Sequence, residues 1–107
     1  MNTKSITSIQ YGIVFLTATW SGGAQWALPK LVAFLEQNDI SSEQLHVFDV
    51  DQNPDLYDLP ELIGKIHGWG EALVVKDGRI LFFTRLGKDQ HLIQEHCDEL
   101  LRVYAAA

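Results

Sequence analysis

The chain has 107 residues, 47% of them hydrophobic and 21% charged, which suits one soluble core and excludes a low-complexity polypeptide. A net charge of −6 excludes the basic stripe that nucleic acid requires. A single cysteine excludes an internal disulfide and a cysteine-based metal site, and it fits a reducing compartment.

At the front, MNTKSITSIQYGIVFLTATW has a lysine followed by apolar residues. The run Ile13–Leu16 is too short for a signal peptide, and Gln10, Tyr11 and Gly12 interrupt what precedes it. No segment approaches the roughly 20 apolar residues of a membrane span, so a cytoplasmic protein with no membrane partner is expected. The whole chain, 1–107, reads as a single domain with its core over about 12–104.

Residues 12–18, GIVFLTA, form a near-continuous apolar run of strand length, predicting a buried central strand. From Ala24 to about Gln37, Leu28, Leu31, Val32 and Leu35 recur at helical spacing. Pro29 removes a backbone donor inside that helix and predicts a kink. QLHVFDV, 44–50, reads as a second strand. DQNPD then closes it and opens a helical stretch to about Ile66, which Pro60 restarts after Asp58. In EALVVKDGRILFFTRL, 71–86, two strand-forming runs flank Asp77-Gly78, the pair that favours a tight hairpin turn. Asp89 is the predicted cap of a last helix whose Leu92, Ile93, Cys97, Leu100 and Tyr104 share one face. The order β-α-β, helical connection, β-β-α calls for a parallel pair with a right-handed crossover, plus antiparallel strands.

That order carries residues at its joints that resemble the thioredoxin family over about 12–104. They are Trp20 before a glycine turn, Pro29, DVDQNP at 49–54, KDG at 76–78 and Gly87 after the hairpin. The resemblance implies a thioredoxin-like α/β fold, a central mixed sheet flanked by helices, with the usual first strand and helix reduced or absent. It also implies that Ser21 and Ala24 stand where the nucleophilic and resolving cysteines belong. Phe15 corresponds to the buried acid, Val47 to the lysine beside it, and Gly70 to the cis-proline facing the active site. A serine hydroxyl does not attack a disulfide at neutral pH, and alanine resolves nothing. Phe15 and Val47 are expected to have repacked the vacated sites as core residues. The catalytic set is therefore expected to be empty, and Ser21, Ala24 and Gly70 are its degenerate positions.

The remaining chemical candidates have plain structural readings. Ser21 caps the first helix, since nothing in the sequence places a base beside it. Cys97 is a small core residue. His91 and His96 are five apart and diverge on a helix, and the sequence spacing sets no second ligand beside His46 or His67, so no metal is expected. GKIHGWG lacks the strand and spacing of a dinucleotide loop, and no cofactor is expected. The acidic residues are dispersed and read as solvated surface. Trp26 is ambiguous.

Trp20 and Trp69 differ, because the resemblance puts them beside the loops that form a peptide-docking groove. The expected partner surface is Trp20, Ser21, Gly22, Gly23, Trp69, Gly70, Leu86 and Gly87, with the glycines leaving backbone open to approach. Two function classes follow. The first is a redox-inactive protein-binding module: an immunity protein or inhibitor for a basic toxin, or an assembly chaperone for an enzyme; chaperone-like holding of unfolded chains is a further reading beside the two. The competing class is an oxidoreductase whose cysteines were mutated to Ser21 and Ala24.

Overall fold

The computed structural model describes residues 6–107. The apolar run at the front forms β1 (Tyr11–Thr17), whose residues from Gly12 to Leu16 are all buried. Such a strand needs neighbours on both edges and cover on both faces. It pairs in parallel with β2 (Leu45–Asp49) and antiparallel with β3 (Glu71–Lys76), and β3 pairs antiparallel with β4 (Arg79–Arg85). The sheet order is β2-β1-β3-β4, the mixed sheet expected. Asp77 and Gly78 turn the β3–β4 hairpin with φ of 53° and 75°. The register slips between Val74 and Val75, and Leu81 bulges out half-exposed.

Alternation along β1 divides the core in two. Ile13 and Phe15 face α1 (Gly22–Gln37) and α2 (Ile93–Ala106), joining Ala24, Ala27, Leu31 and Leu100. Val14 and Leu16 face the opposite side and meet Ile6, Ile9, Leu56, Leu62 and Ile66. Both α-helices lie on one face, and irregular chain covers the other.

Several boundaries differ from the expectations for physical reasons. α1 begins at Gly22 and runs through Pro29 as one element, with Pro29 exposed. The expected helical stretch to Ile66 is two short 3-10 turns, Pro54–Asp58 and Pro60–Leu62. Each starts on a proline, and Leu59 between them is extended, so no α-helical ladder can propagate. Pro60 does restart the chain after Asp58. Asp89 precedes a 3-10 turn at Gln90–Leu92 without a side-chain capping bond, and α2 starts only at Ile93. Among the described residues, a 3-10 turn at Ile6–Ser8 is all that precedes β1. Val47 is 47% exposed rather than core, because β2 is an edge strand and none of the described residues fully covers that position. No helix of the described residues is long and apolar enough to cross a membrane.

Candidate functional site

Ser21 is the N-cap of α1, with the extended backbone (φ −100°, ψ 115°) such a position takes. Its Oγ accepts the Ala24 N–H at 3.1 Å and donates to the Gly68 carbonyl. The capping bond contributes about 1 kcal/mol to the helix. The second bond ties the helix start to the segment before β3. Neither partner is a base, and Ser21 is buried. It is the cap expected, and both of its hydrogen bonds go to backbone groups.

Behind it, the degenerate positions pack on one another. Gly70 has φ +75°, and a Cβ there would lie 2.9 Å from Phe15 Cζ and 3.2 Å from Ala24 Cα. Phe15 and Ala24 are fully buried. A benzyl ring thus fills the space that the resemblance assigns to a buried acid, and Gly70 leaves room for it. Phe15 repacks its position as expected; Val47 does not.

Two indoles define the exposed surface. Trp20 is 62% exposed, and its Nε1–H donates to Asp51 Oδ2 at 2.8 Å. Its ring lies over Gly68, where any Cβ would overlap it. Trp69 is 40% exposed and rests on Gly23, whose position brings a Cβ within 3.2 Å of Trp69 Cε3. Gly22 is open, with nothing near the place a side chain would take. The Tyr57 hydroxyl is pushed above its ordinary range by burial first, then by Asp51 and Glu71.

The other candidates support this surface without facing out of it. The Leu86 N–H donates to the Gly70 carbonyl at 3.1 Å, and the Gly87 N–H donates to the Trp69 carbonyl at 2.7 Å. Leu86, Gly70 and Gly87 are buried. The expectation that Gly70 and Gly87 leave backbone for a partner is corrected: the chain's own Phe15 ring and Gly23 and Trp69 carbonyls occupy those spaces. Leu86 belongs to the core around Phe15.

Glu71 was missed by sequence reasoning, because a charged residue opening a strand reads as a polar end. It is fully buried, and Oε2 accepts the N–H groups of His67 at 3.2 Å and Trp69 at 3.1 Å. Arg85, directly opposite on β4, donates from Nη2 to the Lys65 carbonyl at 3.2 Å. Two charged side chains at the end of one ladder therefore hold three backbone groups of 65–69, the segment that presents Trp69. Only the unusual GWGE run, with glycine on both sides of the indole, hints at this.

Trp26 lies outside the site, half-buried against the core with the Lys30 ammonium 4.9 Å from its ring centroid. His96 Nδ1 lies 3.2 Å from Thr84 Oγ1. Among the described residues, no three His, Cys, Asp or Glu side chains gather as metal ligands. Cys97 is buried on the core face of α2, its thiol pushed up to about 11 by burial and then by Asp98. At pH 8 the native thiol should react with Ellman's reagent about a hundredfold slower than the urea-unfolded chain, whose thiol titrates near 8.5. A native rate within tenfold of the unfolded one would remove Cys97 from the core. Because the folded value is the higher, this residue's contribution is whole below about pH 9 and declines as pH rises toward 11.

No protein-family model and no curated protein matches the chain. Solved structures do. Mitochondrial thioredoxin 3 of Saccharomyces cerevisiae, in its oxidized form, aligns with TM-score 0.59 and 20% identity, covering 89% of this chain and 83% of that one. Thioredoxin of Fasciola hepatica aligns with TM-score 0.59 and 18% identity, covering 88% and 84%. The germline-specific thioredoxin Deadhead of Drosophila melanogaster gives 0.58 and 18% over the same shares. Identities this low speak for architecture alone. With the mixed sheet, the capped α1 and the Gly70 segment set against it, they show that this chain has the thioredoxin-like fold.

Proposed function

We propose that the chain is a redox-inactive protein-binding module that works in the cytoplasm. Its contact surface is Trp20 and Trp69 on either side of the Gly22–Gly23 turn. The observation that carries this reading is a contrast within one site. The chemical positions are closed, with the Ser21 hydroxyl committed to two backbone groups and Phe15 packed on Gly70, while both indoles stay exposed. A fold shared with enzymes does not transfer their chemistry, so function rests on this surface. The partner is a protein, such as a basic toxin neutralised by an immunity protein or inhibitor, or an enzyme under assembly.

Affinity capture from the source cell supplies the partner, and Trp20→Ala and Trp69→Ala then test the surface. Truncating a central aromatic anchor typically costs about 2 kcal/mol, so each variant should bind about thirtyfold more weakly at unchanged circular dichroism. Folded variants that bind within threefold of the parent would place the partner elsewhere. The wild-type protein should show no insulin reduction above a buffer blank. Ser21→Cys with Ala24→Cys should recover only a fraction of a thioredoxin's rate, because Phe15 and Gly70 remain. Full recovery would instead favour an oxidoreductase that has lost its cysteines.

A further inference from the structure

The outer edge of β2 pairs with no other strand among the described residues. β2 is an edge strand, and Val47, at its centre, is 47% exposed. Parallel pairing alternates which residues bond to the neighbouring strand. The Val50 N–H donates to the Thr17 carbonyl at 2.9 Å, so residues 46, 48 and 50 turn their backbone groups toward β1. Residues 45, 47 and 49 therefore turn theirs outward. The Leu45 N–H is used by Ser42 and the Asp49 carbonyl by Gln52, which leaves the Val47 N–H and C=O as the central open pair, flanked by the Leu45 C=O and the Asp49 N–H. No lysine, proline or bulge guards this edge, although edge strands are ordinarily blunted by such devices. On the same face, Val32, Leu35, Ile40 and Leu45 line an apolar groove rimmed by Glu36.

Charge says what fits there. The acidic residues read singly as dispersed, yet residues 31–64 hold eight of the chain's 14 and none of its eight lysines and arginines. That stretch comprises the second half of α1, β2 and the cover that follows it, so the open edge lies in the acidic part of the molecule. A second copy would bring Glu36, Glu43 and Asp49 against like charges. We propose that the β2 edge binds an extended, basic segment of another protein as an added strand. Its backbone pairs with Val47, its apolar side chains lie over Val47 and the groove, and its lysines or arginines meet Glu36, Glu43 and Asp49. This surface adjoins the Trp20–Trp69 face, since Asp49 Oδ1 accepts the N–H of Asp51, which holds Trp20, but the proposal does not rest on that face.

The test is an amide-resolved NMR titration of the whole chain with the synthetic peptide acetyl-KVKVKVK-amide. Shifts should centre on Val47 and Asp49, and hydrogen exchange of the Val47 N–H should slow on saturation. Raising salt from about 0.1 M to 0.5 M should weaken binding at least fivefold, since the contacts are between exposed charges. The counterpart acetyl-EVEVEVE-amide should not bind, nor should a basic peptide N-methylated at alternate residues, which lacks the backbone donors. Val47→Lys, at an exposed position, should weaken binding at least tenfold with an unchanged urea midpoint, whereas Trp69→Ala should leave it intact. Shifts confined to the tryptophan face, equal binding of the acidic peptide, or unaltered binding by Val47→Lys would each overturn the proposal. So would a concentration-dependent dimer that Val47→Lys abolishes, because the occupant would then be a second copy.

Discussion

Gly87→Ala is expected to destabilise the fold by about 3 kcal/mol, an unusually large effect for one methyl group. A Cβ at that position would stand 2.5 Å from the carbonyl oxygens of both Gly23 and Trp69. Neither obstacle is a flexible side-chain tip that could swing aside. One belongs to the first turn of α1, and the other accepts the Gly87 N–H itself. Relief requires parting the helix from the β4 exit, which would lift Trp69 from Gly23. Urea unfolding followed by circular dichroism measures the loss, and near-ultraviolet dichroism reports the tryptophans. A midpoint unchanged from the parent would show that the three backbones are not in contact.

Gly70→Pro, which installs the residue the thioredoxin resemblance implies, should be at least as damaging, by about 4 kcal/mol. Proline fixes φ near −65°, whereas Gly70 stands at +75°. The ring would also enter space held by Phe15 Cζ, 2.9 Å from the Cβ position. Gly70→Ala separates these effects, since alanine tolerates the conformation poorly but adds one atom. Its penalty should shrink when Phe15→Leu is present, the non-additivity expected of touching residues. Strict additivity in that double-mutant cycle would deny the contact. Restoring redox capacity would accordingly require changing Phe15, Gly70, Ser21 and Ala24 together.

Much of the architecture was legible because its signals are local. The apolar run of β1 and the Asp77-Gly78 turn each state their own geometry, and the positive φ at both turn residues follows from their types. The connection after β2 was less readable. Leu56, Leu59 and Leu62 recur every three residues, the period of a 3-10 helix, but three repeats are easily taken for an α-helical face. The exposure of Val47 was hidden for another reason. An alternating strand looks the same in the centre of a sheet and at its edge, and only the pairing order decides. At the site, Trp20 and Ser21 could be placed from the chain alone. The Phe15–Ala24–Gly70 contact joins residues up to 55 positions apart, and no pattern in any one of them announces it.

The sheet order also sets the sequence of events by which the chain can fold. β3 and β4 are joined by a tight turn, so that hairpin closes a very short loop and can form within microseconds. β1 has no such advantage, since Ile13 must find Leu45 on one side and Val74 on the other. Closing those two long loops carries most of the entropic barrier, and the central strand is therefore the last to be flanked on both edges. Until then its apolar residues lie open in a newly made chain. The hairpin offers a waiting template on one side, and capture of β1 by β3 turns a fast local element into a committed core.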